Sequence, residues 1–372
     1  MLRIAFDAKR AFNNYSGLGN YNRYIIDSLR KFYPENQYLY YTPKLINKEY
    51  QDKLKKEEVI LPSSFLDSLF PSLWRTFRLL QEAAKAKADI FHGLSNELPL
   101  LDSNIKKVVT IHDLIFLRYP ELYSPIDRII YNIKFKKACQ MADVVIAISE
   151  QTKRDIVDFY NIPESKVRVV YQDCNSVYHQ KLDSATLKNI SNKYSLSSGY
   201  ILCVGTLEKR KNQLTLLKAF LSAGIKDLHL VFVGKSTGYK KTLDDFIVQN
   251  ALQSRISFLS NVPVEDMPGI FQNSLAVLYP SVFEGFGLPV LEGINSGIPV
   301  ITSKGSCFSE AGGGGALYVQ PNDVEELAQA IRLVIEDTKV RSELIAAGNA
   351  HALQFRPEKT MPELLSVYQS LI

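Results

Sequence analysis

Two glutamates, Glu284 and Glu292, stand eight positions apart in FEGFGLPVLEG (283–293), with glycines and a proline between them and no cation. The preceding run LAVLYPS (275–281) is apolar and β-prone, so it reads as a buried strand. Pro289 suits the first turn of a helix and Gly297 its end. Glu284 then falls in a strand-to-helix loop and Glu292 in the first or second helical turn. Such a helix start presents unpaired N–H groups and a positive dipole end, which favour an anionic ligand. An acidic helix start with no ligand fits the same residues. A second group, GTLEKRKN (205–212), places Lys209, Arg210 and Lys211 after another strand. There they could supply charge-assisted donors to a diphosphate, or simply be solvated. A third, YSGLGNY (15–21), is a glycine-containing loop between strand and helix; it is not GxGxxG, and its glycines also suit an ordinary turn.

The elements that must position these groups come in two series. LRIAFDA (2–8), YLYYTP (38–43), DIFHGL (89–94), VVTIHD (108–113), DVVIAIS (143–149) and VRVVYQ (167–172) read as strands. Helix-like stretches such as GNYNRYIIDSLRKF (19–32) separate most of them. The pattern loosens over 173–199. It restarts with YILCVGT (200–206), HLVFVGK (229–235), ISFLSN (256–261), LAVLYPS, PVITSK (299–304) and ALYV (316–319). Short apolar runs alternating with amphipathic helices indicate buried parallel strands in βα units. The fold class is therefore α/β: two doubly wound, Rossmann-like domains facing across a cleft. In such sheets ligands bind beyond the carboxyl ends of the strands. His112, Gly205–Thr206 and Glu284 all fall at such ends.

Composition narrows the class. An apolar fraction of 46% and a charged fraction of 22% over 372 residues suit a globular protein with more than one core. MLRIAFDAKR meets charge too early for a signal peptide, and no apolar run reaches membrane-spanning length. Cys139, Cys174, Cys203 and Cys307 are far apart, as expected of reduced structural thiols in a cytoplasmic protein. Residues 1–180 hold 26 Lys and Arg against 21 Asp and Glu, whereas the remainder holds 18 of each. The whole excess of +5 thus sits in the first half. That is too mild for nucleic acid but compatible with an anionic membrane surface or acceptor. The basic, apolar-faced segment RIIYNIKFKKACQ (128–140) is the expected contact, at the inner face of a membrane.

In combination, FEGFGLPVLEG with its E-x7-E spacing, VGTLEKRKN (204–212), DIFHG…NELP (89–99), TIHDLIFLRYPE (110–121), IAISEQTKRDI (146–156) and FRPEKTMPELLSVY (355–368) resemble retaining glycosyltransferases of family 4, which have the GT-B architecture. The resemblance covers nearly the whole chain. It implies an N-terminal acceptor-side domain over 1–178, a nucleotide-sugar-binding domain over 179–355, and a C-terminal helix, 356–372, crossing back onto the first domain. It implies transfer of a hexose from a nucleoside diphosphate sugar to a glycan or lipid-linked acceptor, with GDP-mannose the first choice of donor and UDP-sugars next. Carried over by residue, Glu292 accepts from the ribose hydroxyls and Glu284 from hydroxyls of the donor sugar. Arg210 and Lys211 grip the diphosphate, and His112 lies against the sugar near its anomeric centre. Gly17 and Gly19 flank the phosphates, while Thr206, Gly285, Phe286, Gly287 and Leu288 complete the donor site. Glu310 matches a family Glu and is expected to act indirectly, and Lys209 to be solvated. Two positions depart from the pattern: VVYQDCN (169–175) replaces an Asn-Gly before the interdomain segment, and Thr206 replaces a frequent Arg, whose charge Arg210 is expected to supply.

No Asp-x-Asp pair occurs in the chain, although metal-dependent sugar transfer commonly uses one to hold the cation on the diphosphate. The expectation is therefore a metal-independent enzyme without cofactor, in which Arg210 and Lys211 neutralise the diphosphate and substitution proceeds on the front face. The alternatives are a GT-B-type sugar-nucleotide epimerase and a non-catalytic sugar-nucleotide-binding protein.

Overall fold

The computed structural model describes residues 1–14 and 17–372. Tyr15 and Ser16, which open the glycine-containing stretch, lie outside the described residues. The chain forms two compact units, Met1–Asp173 with Phe355–Ile372, and Cys174–Gln354. The unit boundary falls inside VVYQDCN.

The first unit is a seven-stranded sheet of β1 (Arg3–Asp7), β2 (Gln37–Tyr41), β3 (Val59–Ile60), β4 (Ile90–Gly93), β5 (Lys106–Ile111), β6 (Val144–Ala147) and β7 (Val167–Val169), in the order 3-2-1-4-5-6-7. Every pairing is parallel. The apolar runs explain this: Ile4, Ala5 and Phe6, or Val145, Ile146 and Ala147, are fully buried without alternation, because helices cover both faces. The short β3 was missing from the sequence reading. Helix Gly17–Phe32 follows β1 and begins two residues earlier than expected, so Gly17 and Gly19 are helical, not a loop. Gly19 is required there, since a Cβ would lie 1.9 Å from the Asn14 carbonyl oxygen. Helix Pro125–Met141 is stopped at its start by Ser124, whose side chain caps Asp127 N–H, with Pro125 in the first turn. Helix Pro357–Gln369 packs within this unit: Tyr24 and Thr360 hydroxyls are 2.7 Å apart, and Tyr368 reaches buried His92 Nδ1 at 2.7 Å.

The second unit is a six-stranded parallel sheet of β8 (Tyr200–Val204), β9 (His229–Val233), β10 (Ile256–Leu259), β11 (Ala276–Tyr279), β12 (Val300–Ser303) and β13 (Ala316–Val319), ordered 10-9-8-11-12-13. The order reverses between β8 and β11, which is where a doubly wound sheet opens a crevice at its carboxyl edge. Its core joins Ile201, Leu216, Phe220, Phe232, Leu278 and Ile331 among others. All four cysteines are buried and unbridged.

Candidate active site

At the switch point of the second sheet, the loops after β8 and β11 place three ionised side chains in one cluster. Gly205 follows β8 with φ of +139°, a conformation that favours glycine, and Lys211 lies over the space a Cβ would take. Lys209–Lys211 form a single 3-10 turn, and left-handed Asn212 then opens helix Gln213–Ala223. Gln213 ties the loop down by donating to the Thr206 carbonyl at 2.9 Å. Lys209 stays exposed, while Arg210 and Lys211 keep only 17% and 13% of their side-chain surfaces open.

Both cations turn onto Glu284. Arg210 Nη1 and Lys211 Nζ each lie 2.6 Å from Glu284 Oε1, and Ser281 Oγ donates to the same oxygen at 2.6 Å. Lys211 also donates to the Tyr279 hydroxyl at 2.5 Å. Arg210 spans the Phe283 carbonyl and Glu208, each at 2.7 Å. The backbone of Glu284 is clamped as well: its N–H donates to Ser306 Oγ, and its carbonyl accepts from Ser306 Oγ and Cys307 Sγ. Burial pushes the Glu284 carboxyl up, but the charges of Lys211 and Arg210 and their hydrogen bonds outweigh it and hold the group at about 2.

Glu292 is the opposite case. It sits in the second turn of helix Leu288–Asn295, whose first turn contains Pro289 and whose cap is Gly287 at φ +92°. Its carboxyl has no hydrogen bond or ion pair among the described residues. Burial alone pushes it up to about 7. Two carboxylates of one motif are thereby held far apart in acidity, one saturated with donors and one with vacant acceptor atoms. Gly285, Phe286 and Gly287 are buried beneath the loop, and Leu288 is half-buried. A Cβ on Gly287 would meet the Phe308 ring at 3.3 Å. Phe286, beside it in the loop, is itself buried.

Beside this cluster, at the carboxyl ends of β8–β10, a pocket is lined by Leu207, Phe232, Gly234, Lys240, Phe258 and Ser260. Lys240 lies over the Phe258 ring, 4.4 Å from its centroid, and Phe258 stacks on Phe232. Gly234 lets the loop after β8 pass close by, because a Cβ there would lie 2.0 Å from the Gly205 carbonyl oxygen. Sequence reasoning missed Tyr279, Ser281, Lys240 and Phe258. The first two stood in the quoted strand run and carried no signal until the fold brought Lys211 and Glu284 to them.

In the first unit, His112 follows β5. Its backbone N–H donates to Asn96 Oδ1 at 2.7 Å, and its Nε2 donates to the Leu94 carbonyl at 2.9 Å. A carbonyl only accepts, so Nε2 bears the proton and Nδ1 keeps its lone pair. Nδ1 has no partner among the described residues. The Tyr21 ring packs edge-on against the imidazole at 4.6 Å. Burial lowers the group to about 4, helped by Arg10, so His112 is neutral and an acceptor. Gly17 is exposed at the start of its helix with open space around it, whereas Gly19 is committed to packing. The structure thus gathers Glu284, Arg210 and Lys211 into one cluster, with Glu292 on the helix that follows Glu284. Glu310 is in the short helix Phe308–Gly312, where its carbonyl meets His351 Nε2 at 2.8 Å.

Residues 15–172 match the family described as Glycosyltransferase Family 4, and residues 188–351 match Glycosyl transferases group 1. The chain is 30% identical over 313 residues to O-antigen chain mannosyltransferase B of Escherichia coli, covering 81% of each chain. It is 28% identical over 261 residues to the O-antigen chain mannosyltransferase RfbU of Salmonella typhimurium, covering 70% of this chain and 68% of that one. Among solved structures, Anabaena HepE in complex with UDP and glucose superimposes with a TM-score of 0.78 at 19% identity over the full length of both chains. WaaG, a glycosyltransferase involved in lipopolysaccharide biosynthesis, does so with a TM-score of 0.71 at 14% identity, covering 99% of each.

Proposed function

The chain belongs to the family 4 glycosyltransferases of GT-B architecture, and from that premise we propose that it transfers mannose from GDP-mannose to a lipid-linked or polymeric glycan acceptor, with retention and without a metal. The observation that supports this reading best is a Glu284 saturated by two mostly buried cations, followed on the next helix by an unpartnered Glu292. The choice of mannose follows the two O-antigen mannosyltransferases it resembles.

In this reading Glu292 accepts from the ribose hydroxyls of the donor. The base enters the pocket floored by Phe232 and Phe258, beside Lys240. The diphosphate takes over hydrogen bonds from Arg210 and Lys211 that Glu284 holds in the free protein. Glu284, partly released, turns toward the sugar hydroxyls. His112 offers its Nδ1 lone pair to another sugar hydroxyl. The amide of Gly17, at the start of its helix, faces phosphate. Thr206 and the backbone of Gly285, Gly287 and Leu288 contact the donor.

The acceptor hydroxyl attacks the anomeric carbon on the face from which the phosphate departs. A bond from acceptor oxygen to that carbon forms, the bond from carbon to phosphate oxygen breaks, and the leaving phosphate oxygen takes the hydroxyl proton. Negative charge grows on the diphosphate in the transition state. Arg210 and Lys211 are pre-positioned for it in a site of low solvent access, where such stabilisation is most effective. Their fixed charges do what a divalent ion does elsewhere, so no metal is required.

A panel of sugar nucleotides read by thermal shift tests the donor, since a ligand at 100 times its Kd adds about 2.7 kcal/mol of stability. GDP-mannose should stabilise most; a larger effect of a UDP-sugar would displace it. NMR of the first product resolves the anomer, and an inverted product would rule out the front-face course.

A further inference from the structure

His112 stands at the end of a polar chain that runs back to the C-terminal helix. In β5, Val109 and Ile111 turn into the core on one face, so Thr110 and His112 share the other. In neighbouring β4, Phe91 joins the same core, which leaves His92 on the face of Thr110. Helices Gly17–Phe32 and Pro357–Gln369 cover this second face, where Tyr21 meets Thr110 and Tyr368 meets His92.

The links are short and buried. The Tyr368 hydroxyl lies 2.7 Å from His92 Nδ1, His92 Nε2 lies 2.9 Å from Thr110 Oγ1, and Thr110 Oγ1 lies 3.1 Å from the Tyr21 hydroxyl. All four side chains are buried. Burial, with His112 nearby, lowers His92 to about 3, so its ring is neutral, with one N–H and one lone pair. Whichever nitrogen donates, the other accepts, and every link can pair a donor with an acceptor. The chain ends at the Tyr21 ring, which stands at 87° to the His112 imidazole with centroids 4.6 Å apart.

His112 needs that last contact. Its hydrogen bond from Nε2 to the Leu94 carbonyl fixes one atom of the ring but not the ring plane. Its backbone is clamped separately: the N–H donates to Asn96, and the carbonyl accepts from Thr152. Rotation about the side-chain bonds would swing Nδ1 away from a ligand and leave that backbone in place. The perpendicular Tyr21 ring opposes this rotation. Neighbouring Asn22 ties down the loop that receives Nε2, donating to the Leu94 carbonyl at 3.4 Å and to Ser95 Oγ at 3.2 Å. One turn of helix Gly17–Phe32 thus sets both the ring and its acceptor.

A buried polar chain adds little net stability over an apolar core, but it selects one geometry. We propose that Tyr21 is the positioning residue of His112, and that its hold is anchored through Thr110 and His92 at Tyr368 of the C-terminal helix. The proposal rests on the contact between His112 and the donor sugar in the transferase reading above. It gives the last helix a part in turnover and none in nucleotide affinity. The side chains assigned to the nucleotide, Glu292, Phe258, Arg210 and Lys211, all belong to the second unit.

The test reads kcat and KM for GDP release from GDP-mannose, or from the UDP-sugar that displaces it in the panel above, with water as the acceptor. Calorimetric titration with GDP accompanies it. Tyr21→Leu should lower kcat about 10- to 100-fold, as misplacing a group at the reacting centre does, with GDP affinity within about twofold of wild type. In a His112→Ala background the same change should cost less than about twofold, because nothing is left to position. Tyr21→Phe, Thr110→Val and Tyr368→Phe keep the shapes and each break one link, so each should lower kcat about three- to tenfold. They too should fall silent in the His112→Ala background, which decides the matter if Tyr21→Leu fails to fold. Additive losses in the double variants, or wild-type kcat in Tyr21→Leu, overturn the proposal. So does a fall in GDP affinity that matches the fall in kcat, which would mean general loosening. Wild-type kcat in Tyr368→Phe removes the anchor at the C-terminal helix. Unchanged kcat in His112→Ala itself removes the sugar contact, and the positioning role with it. A loss there with additive effects at Tyr21 removes the positioning role alone.

Discussion

Glu284→Gln separates two roles that the motif leaves mixed. In the free protein this carboxylate is the counter-ion of two cations that are themselves mostly buried, each at 2.6 Å. The amide keeps the shape and can still accept from Ser281, but it removes the charge. Arg210 retains Glu208 at 2.7 Å, while Lys211 retains only the Tyr279 hydroxyl. Breaking a buried pair by neutralising one partner costs about 3–5 kcal/mol. For a unit of this size that is a fall in unfolding midpoint of roughly 6–20 °C. A nucleoside diphosphate supplies the missing negative charge, so it should restore more stability to the variant than to the wild type. Recovering about 1.4 kcal/mol, roughly a third of the loss, makes the free nucleotide about tenfold tighter. Turnover should fall nonetheless, by about 10²-fold, because the donor sugar loses its positioned acceptor. Calorimetric titration with GDP and thermal unfolding with and without it measure both sides. A variant that unfolds like the wild type, or binds the nucleotide more weakly, refutes the idea that Glu284 and diphosphate compete for the same cations.

The other expectations follow from the same geometry. The Glu292 carboxyl is raised to about 7 in the free protein, and donors from a ribose favour its ionised form, so donor affinity should improve as pH rises from about 6 to 8. A sugar nucleotide has no group titrating in that window, so a Glu292→Gln variant should show a flat profile with KM raised tenfold to about a hundredfold, one charge-assisted hydrogen bond being worth about 1.5–3 kcal/mol. A slope that survives in the variant would place the titration elsewhere. Transfer should continue in EDTA, and a large loss restored by Mg²⁺ or Mn²⁺ would contradict the assignment of the diphosphate to Arg210 and Lys211. Gly19→Ala should lower the unfolding midpoint clearly, because its Cβ would be driven into the Asn14 carbonyl, whereas Gly17→Ala, with open space, should leave it nearly unchanged.

The parallel sheets were legible because strands buried on both faces write themselves as uninterrupted apolar runs: Val108–Ile111 or Val277–Tyr279 have few alternatives in a chain of this composition. Val59–Ile60 was not, since two residues after Lys55–Glu58 give no run to detect, and its pairing with Tyr40 and Tyr41 is decided by β2. Gly17 and Gly19 misled for a related reason. Glycine argues against helix on propensity, yet the close approach of Asn14 leaves no other residue room at position 19, and tertiary packing overrides the preference.

The site shows the same division more sharply. The loop positions of Glu284, Arg210 and Lys211 follow from strand ends alone, so their presence at the carboxyl edge was readable. What each does there is a property of convergence. Sequence spacing gives Glu284 and Glu292 equal standing, as two acids near one helix start. In space, one acid has three donors on a single oxygen and the other has none, and only the second is free to change protonation near neutrality. Tyr279 and Ser281 are invisible as chemistry in a strand run because their partners lie some 70 positions earlier or three later, across a loop whose course they help to fix. The outward stripe of helix Pro125–Met141 is a milder case. Its isoleucines, taken with Phe135, Ala138 and Cys139 on the opposite side, put apolar residues on two sides of the helix, and sequence alone does not say which side is the core. Only the burial of one side and the exposure of the other separates a core element from a surface one.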